Sequence, residues 1–103
     1  MSDLKQEVSS YVMSFTSEMC GVCHAIDPRL KDLIKDYSIP LIEINITKDQ
    51  LTSGQHRVFT VPTILVFTEG QEILRESKFI DLNRVEKSLD FIKFNVCKSN
   101  SSL

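Results

Sequence analysis

The chain has 103 residues, 42% of them hydrophobic and 25% charged, which is the composition of one ordinary globular domain with its own core. Disorder, collagen and coiled coil are excluded as overall descriptions. Twelve Lys and Arg against fourteen Asp and Glu leave a net charge of −2 with no basic run, so neither nucleic acid nor an anionic membrane is an expected partner.

The elements follow in chain order. Met1 to Glu7 lacks the basic-then-apolar layout of an export signal, and Leu4 to Glu7 allows a short first helix. Tyr11-Val12-Met13-Ser14-Phe15-Thr16 is rich in β-formers and reads as a buried strand. From Gly21 to about Tyr37 the pattern is helical, with Ile26, Leu30, Leu33, Ile34 and Tyr37 on one face. Pro28 lies inside this pattern and predicts a kink or the end of a first segment. After Ser38-Ile39-Pro40, Leu41 to Ile46 alternates apolar and polar residues as a strand does. Thr47 to Arg57 is polar and reads as a short helix and loop.

Thr63 to Phe67 contains the longest wholly apolar run, Ile64 to Phe67. It is too short to span a bilayer and fits a strand covered on both faces. Glu69-Gly70 reads as a hairpin turn and Gln71 to Ser77 as the return strand. Asp81 is a good N-cap for a last helix carrying Leu82, Val85, Leu89, Ile92 and Val96 on one face. Phe91 and Phe94 lie off that stripe. The order is (α)βαβαββα, an α/β fold with a mixed sheet of about four strands and helices on both faces. Strands joined through helices are expected to run parallel and the last two antiparallel. Residues 1–97 form one domain in this reading, and 98–103 a polar tail expected to fray.

Three cysteines are too few and too odd in number for a secreted disulfide framework. Cys20-Gly21-Val22-Cys23 falls where a strand ends and a helix begins. Unpaired N–H groups there carry partial positive charge, which stabilises a thiolate and lowers its pKa. Gly21 is expected to let the backbone turn tightly. Cys20, nearer the strand, is the expected exposed nucleophile. Cys23, one turn inside, is the expected shielded thiol that resolves a mixed disulfide. Three other readings use the same residues. The pair would be two small buried side chains, or a zinc half-site, for which His24, His56 and Cys97 offer no second paired spacing. Cys20 to His24 also spells the C-x-x-C-H attachment signature of c-type haem. Cys97 reads as a free thiol without a role.

With Cys20-Gly21-Val22-Cys23, with Pro28 five residues past Cys23 and with Val61-Pro62-Thr63 just before an apolar strand, the chain resembles the thioredoxin family over roughly Tyr11 to Lys93. The resemblance implies a thioredoxin-like fold and a cis Val61–Pro62 bond facing the dithiol. It also implies that the Val61 backbone pairs with an extended substrate, with Met19 and Pro62 beside it. It departs from the family's usual pattern at Met19 for tryptophan, Val22 for proline, Ser14 for a buried aspartate and Glu43 for a nearby lysine. The family's usual glycine beside the substrate groove is not evident around Lys78-Phe79, and an extra N-terminal edge strand is expected to be absent.

Ile42, Ile44 and Ile46 share one face of their strand, so Glu43 and Asn45 share the other. On a central strand a carboxylate there is costly unless it has a task. Glu43 is then a candidate to accept the proton of Cys23; the alternative places it in solvent at the end of the sheet. The whole reads as a cytoplasmic thiol-disulfide oxidoreductase, a monomer that reduces protein disulfides and is reset by a thioredoxin reductase or a low-molecular-weight thiol. The dithiol itself carries two electrons, so no cofactor or metal is implied. The alternative is a thioredoxin-fold binding or adaptor module with a vestigial dithiol.

Overall fold

The computed structural model describes residues 10–101, with side chains over residues 10–94. The helix expected over Leu4 to Glu7 and the side chains of Val96 and Cys97 lie outside these. The elements are β1 (Ser10–Thr16), α1 (Gly21–Lys35), β2 (Leu41–Asn45), α2 (Gln50–Gln55), β3 (Thr63–Thr68), β4 (Gln71–Ser77) and α3 (Leu82–Ser101). The sheet order is β2-β1-β3-β4. β1 and β2 run parallel, with Ser14 opposite Glu43 and Thr16 opposite Asn45. β1–β3 and β3–β4 run antiparallel.

The direction of β3 departs from the sequence-based expectation, under which β1, β2 and β3 all run parallel. β2 ends beside Thr16, and β3 begins beside Phe15, at the same end of the sheet. Residues 46–62 do not carry the chain back to the start of β2: they pack Val58 and the His56 ring against Phe15 and Phe67 and return to the end they left. β3 therefore lies antiparallel on the far side of β1.

Alternation along the strands divides the core in two. Val12, Ile64 and Val66 face one side and bury Leu30 and Ile34 of α1 with Val85, Leu89 and Ile92 of α3. Met13, Phe15, Leu65 and Phe67 face the other and pack on Val58, with the His56 ring against Phe15 and Phe67. Every residue from Thr63 to Phe67 is buried, as an apolar run covered on both faces requires. Pro28 stays inside α1, which runs unbroken to Lys35. The β3–β4 turn places Glu69 at φ 52° and Gly70 at φ 79°, the left-handed pair that matches the twist of a hairpin. Helix α3 runs through Ser101, so its span includes the first residues of the 98–103 segment.

Candidate functional site

Cys20 takes the N-cap position of α1. Its backbone is extended, and its sulfur accepts a hydrogen bond from the Cys23 N–H at 3.1 Å. The His24 N–H donates to the Cys20 carbonyl at 3.3 Å, and the Cys20 N–H to Ser17 at 3.2 Å, which fixes the junction on both sides. A sulfur thus satisfies a helix-end donor that a Ser or Asp oxygen would normally take. The same donor and the helix dipole stabilise negative charge on that sulfur. Cys20 and Cys23 are joined as a disulfide with Cα atoms 5.3 Å apart. Cys20 is half-buried and Cys23 is 6% exposed. Gly21 corrects an expectation: it is the first helical residue, and a Cβ there would meet nothing within 4 Å. No tight turn requires it.

The Val61–Pro62 peptide is cis. Pro62 is buried and lines the same cavity as Cys23, and Val61 is half-buried. Two bonds hold the segment: Thr63 Oγ1 donates to the Thr60 carbonyl at 2.8 Å, and the Lys78 N–H donates to the Pro62 carbonyl at 2.9 Å. Lys78 has φ 67°, so this turn keeps a backbone conformation that glycine adopts freely, although the residue is lysine. Around the disulfide, Met19 is 93% exposed, Phe79 is 89% exposed, and Val22 projects outward. Val22, Ile26, Phe79, Ile80 and Leu82 line a groove of about 580 Å³ beside the motif, with Arg29 and Lys78 also on its wall.

Behind Cys23 a second cavity, of about 290 Å³, is lined by Ser14, Asp27, Lys31, Glu43 and Pro62 among others. Here the premise of a central strand for Glu43 is corrected. Among the described residues β2 is an edge strand, and the Glu43 side chain is 44% exposed. It still turns to the α1 face, because it shares that face with its register partner Ser14. Lys31 Nζ lies 3.0 Å from Asp27 Oδ2 and 3.5 Å from Glu43 Oε2. The hydrogen bond to Asp27, reinforced by burial and by the Asp27 charge, raises the Glu43 pKa above the ordinary carboxylate value. Burial pushes Asp27 upward, but hydrogen bonds with Glu43 and Lys31 and the Lys31 charge hold it below its ordinary value. Asp27 and Lys31 are absent from the sequence-based candidates. Their signal is the spacing Cys23, Asp27, Lys31, four residues apart along one face of α1.

A disulfide at the mouth of a helix, beside a cis proline on a four-stranded mixed sheet, defines a thioredoxin-like fold with its redox site. The sequence matches the Thioredoxin family model over residues 1–94, and the chain belongs to the thioredoxin family. It is 34% identical over 87 residues to thioredoxin-like protein YdfQ of Bacillus subtilis (strain 168), covering 84% of this chain and 77% of that one. It is 27% identical over 90 residues to a thioredoxin of Staphylococcus aureus, covering 85% and 86%. Thioredoxin 1 from Thermosipho africanus TCF52B superposes with a TM-score of 0.73 at 26% identity, covering 87% of this chain and 98% of that one. A thioredoxin-like protein from Bacillus cereus ATCC 10987 gives 0.68 at 29%, covering 88% and 96%. In general terms the protein is a thiol-disulfide oxidoreductase. No described helix is long and apolar enough to cross a membrane.

Proposed function

We propose that the protein reduces protein disulfides through the Cys20/Cys23 dithiol. In the reduced chain the Cys20 thiolate attacks one sulfur of a substrate disulfide, and the other substrate sulfur leaves as thiolate. The Cys23 thiol then loses its proton, and its sulfur attacks Cys20. The second substrate sulfur departs and the Cys20–Cys23 disulfide closes. Glu43 accepts the Cys23 proton. Met19 and the Val61–Pro62 segment receive the substrate chain, with the Val61 backbone pairing along it, and the apolar groove beside Val22 takes its side chains. The protein works as a cytoplasmic monomer, and a thioredoxin reductase or a low-molecular-weight thiol returns the disulfide to dithiol.

One observation carries this reading: the more exposed cysteine, Cys20, is the one whose sulfur accepts a helix-end N–H, while Cys23 is buried. Exposure and thiolate stabilisation favour Cys20 as the attacking group. Insulin reduction by a small-molecule dithiol, monitored by turbidity, tests it. Wild type accelerates the reaction, Cys20→Ser abolishes the acceleration, and Cys23→Ser accumulates a mixed disulfide visible by mass spectrometry. Equal inactivity of wild type and Cys20→Ser would instead identify a binding module with a vestigial dithiol.

A further inference from the structure

A buried thiol attacks only after it has lost its proton, and the 290 Å³ cavity contains the groups able to take it. The ionisable groups facing Cys23 come from two elements: His24, Asp27 and Lys31 on α1, and Glu43 on β2. β1 and the segment entering β3 contribute no charge to the lining. His24 turns toward the preceding loop, with Nε2 3.4 Å from the Glu18 carbonyl. Asp27 follows Cys23 by one helical turn, and Lys31 follows Asp27 by one more. A single ammonium thus spans two carboxylates from different elements. Two anions around one cation leave one negative charge in surplus, and uptake of one proton removes it.

We propose that Asp27 and Glu43, bridged by Lys31, act as one single-proton acceptor for the Cys23 thiol, with Asp27 as the positioning residue that holds and tunes Glu43. Asp27 remains ionised beside Lys31, and its charge strengthens the hold of Glu43 on a proton. In the resolving step the Cys23 S–H proton passes to the pair, and the Cys23 sulfur bonds to Cys20. The Cys20–substrate S–S bond breaks, and its electron pair leaves on the substrate thiolate. That thiolate is then protonated by the pair or by water, which restores the acceptor. The opposed displacements of the two carboxyl pKa values, Glu43 upward and Asp27 downward, agree with this division of roles.

This inference rests on the mixed-disulfide reading, and one experiment separates the two. Reduced protein is mixed in a stopped-flow instrument with a chromogenic aromatic disulfide. One coloured thiolate is released when Cys20 attacks and a second when Cys23 resolves. With an acceptor in place, the second rate constant of wild type changes less than about threefold between about pH 6 and pH 8. In Asp27→Asn and in Glu43→Gln it rises about tenfold per pH unit, the slope of unassisted thiol ionisation. The double variant shows the same slope as either single one, and Asp27→Glu retains the flat profile. Parallel profiles in wild type and variants overturn the acceptor. A changed slope in only one single variant overturns the paired unit. Absence of any second release from wild type overturns the mixed-disulfide reading, and the inference with it.

Discussion

The Lys78 N–H donates to the carbonyl of Pro62 at 2.9 Å, tying the turn after β4 to the proline beside the disulfide. Lys78 makes this bond from φ 67°, where its Cβ crowds the following carbonyl oxygen. Lys78→Gly removes the crowding and keeps the donor. It should raise stability by about 1 kcal/mol, a shift in thermal midpoint of roughly 4–8 °C for a chain of this size. Lys78→Pro loses the donor and is barred from positive φ, so it should lower the midpoint instead. Thermal unfolding of the two variants by circular dichroism reads the contrast.

Leu30 lies two turns along α1 from Cys23, is fully buried, and anchors the dithiol helix to Val12 and Ile64 of the sheet. Leu30→Ala removes three carbons from a packed layer and leaves a cavity beneath the site. Urea denaturation should show a loss of about 2–5 kcal/mol. The helix N-terminus, and with it the Cys20 environment, depends on this anchor, so the insulin assay should lose activity at temperatures where wild type is unaffected.

Legibility from sequence tracks how local each feature is. Cys20 and Cys23 are readable because strand end, cap and helix occupy one short stretch, and β3 because its apolar run admits few alternatives. The direction of β3 is not readable from an element list, because it depends on the end of the sheet to which residues 46–62 return the chain. The edge position of Glu43 is hidden for the same reason: alternation reveals which face a residue takes, but not whether its strand has a second neighbour. Asp27 is readable in principle from its spacing to Cys23. Its significance needs Glu43, sixteen residues later, brought opposite by the β1–β2 register. The left-handed Lys78 carries no local signal, since neither glycine nor asparagine marks it.

Gly21 offers a direct check on what the motif's glycine contributes. It opens α1 without positive φ, in open space. Gly21→Ala should therefore stabilise the chain by up to about 1 kcal/mol through reduced backbone entropy of the unfolded state. The disulfide should still form, which thiol titration of the oxidised variant would verify.

Glu76 is buried and makes two contacts of unequal weight. Its Oε1 accepts from the Asp81 N–H at 3.1 Å, at the entry to α3, and its Oε2 lies 3.2 Å from Arg84 Nη1. The Arg84 side chain is largely exposed, so solvent screens the ion pair and its share is small. The backbone donor, if left unpaired, costs its full desolvation. Glu76→Ala should destabilise by about 2 kcal/mol, and Glu76→Gln, which keeps an oxygen acceptor, by under about 1 kcal/mol. Equal losses in both would mean that the ion pair dominates. Chemical denaturation at neutral pH separates these outcomes.

Tyr37 links α1 to α3 by donating its hydroxyl proton to Asp90 Oδ1 at 2.5 Å. That hydrogen bond, then burial, then the charges of Asp90, Glu86 and Asp36 push its pKa from 10.0 to about 12. The direction of the linkage follows from the proton count. Between pH 10 and 12 the unfolded chain has released the phenol proton and the folded chain still holds it, so ionisation favours the unfolded state. The contribution of this group is complete below pH 10 and falls away as pH rises through 12. The urea midpoint of wild type should therefore drop more between about pH 9 and pH 11 than that of Tyr37→Phe, which has no phenol to titrate. Absorbance at the phenolate band should show one tyrosine ionising late, and Asp90→Asn should bring that step back toward the ordinary value. An unchanged late step in Asp90→Asn would show that the carboxylate does not hold the phenol.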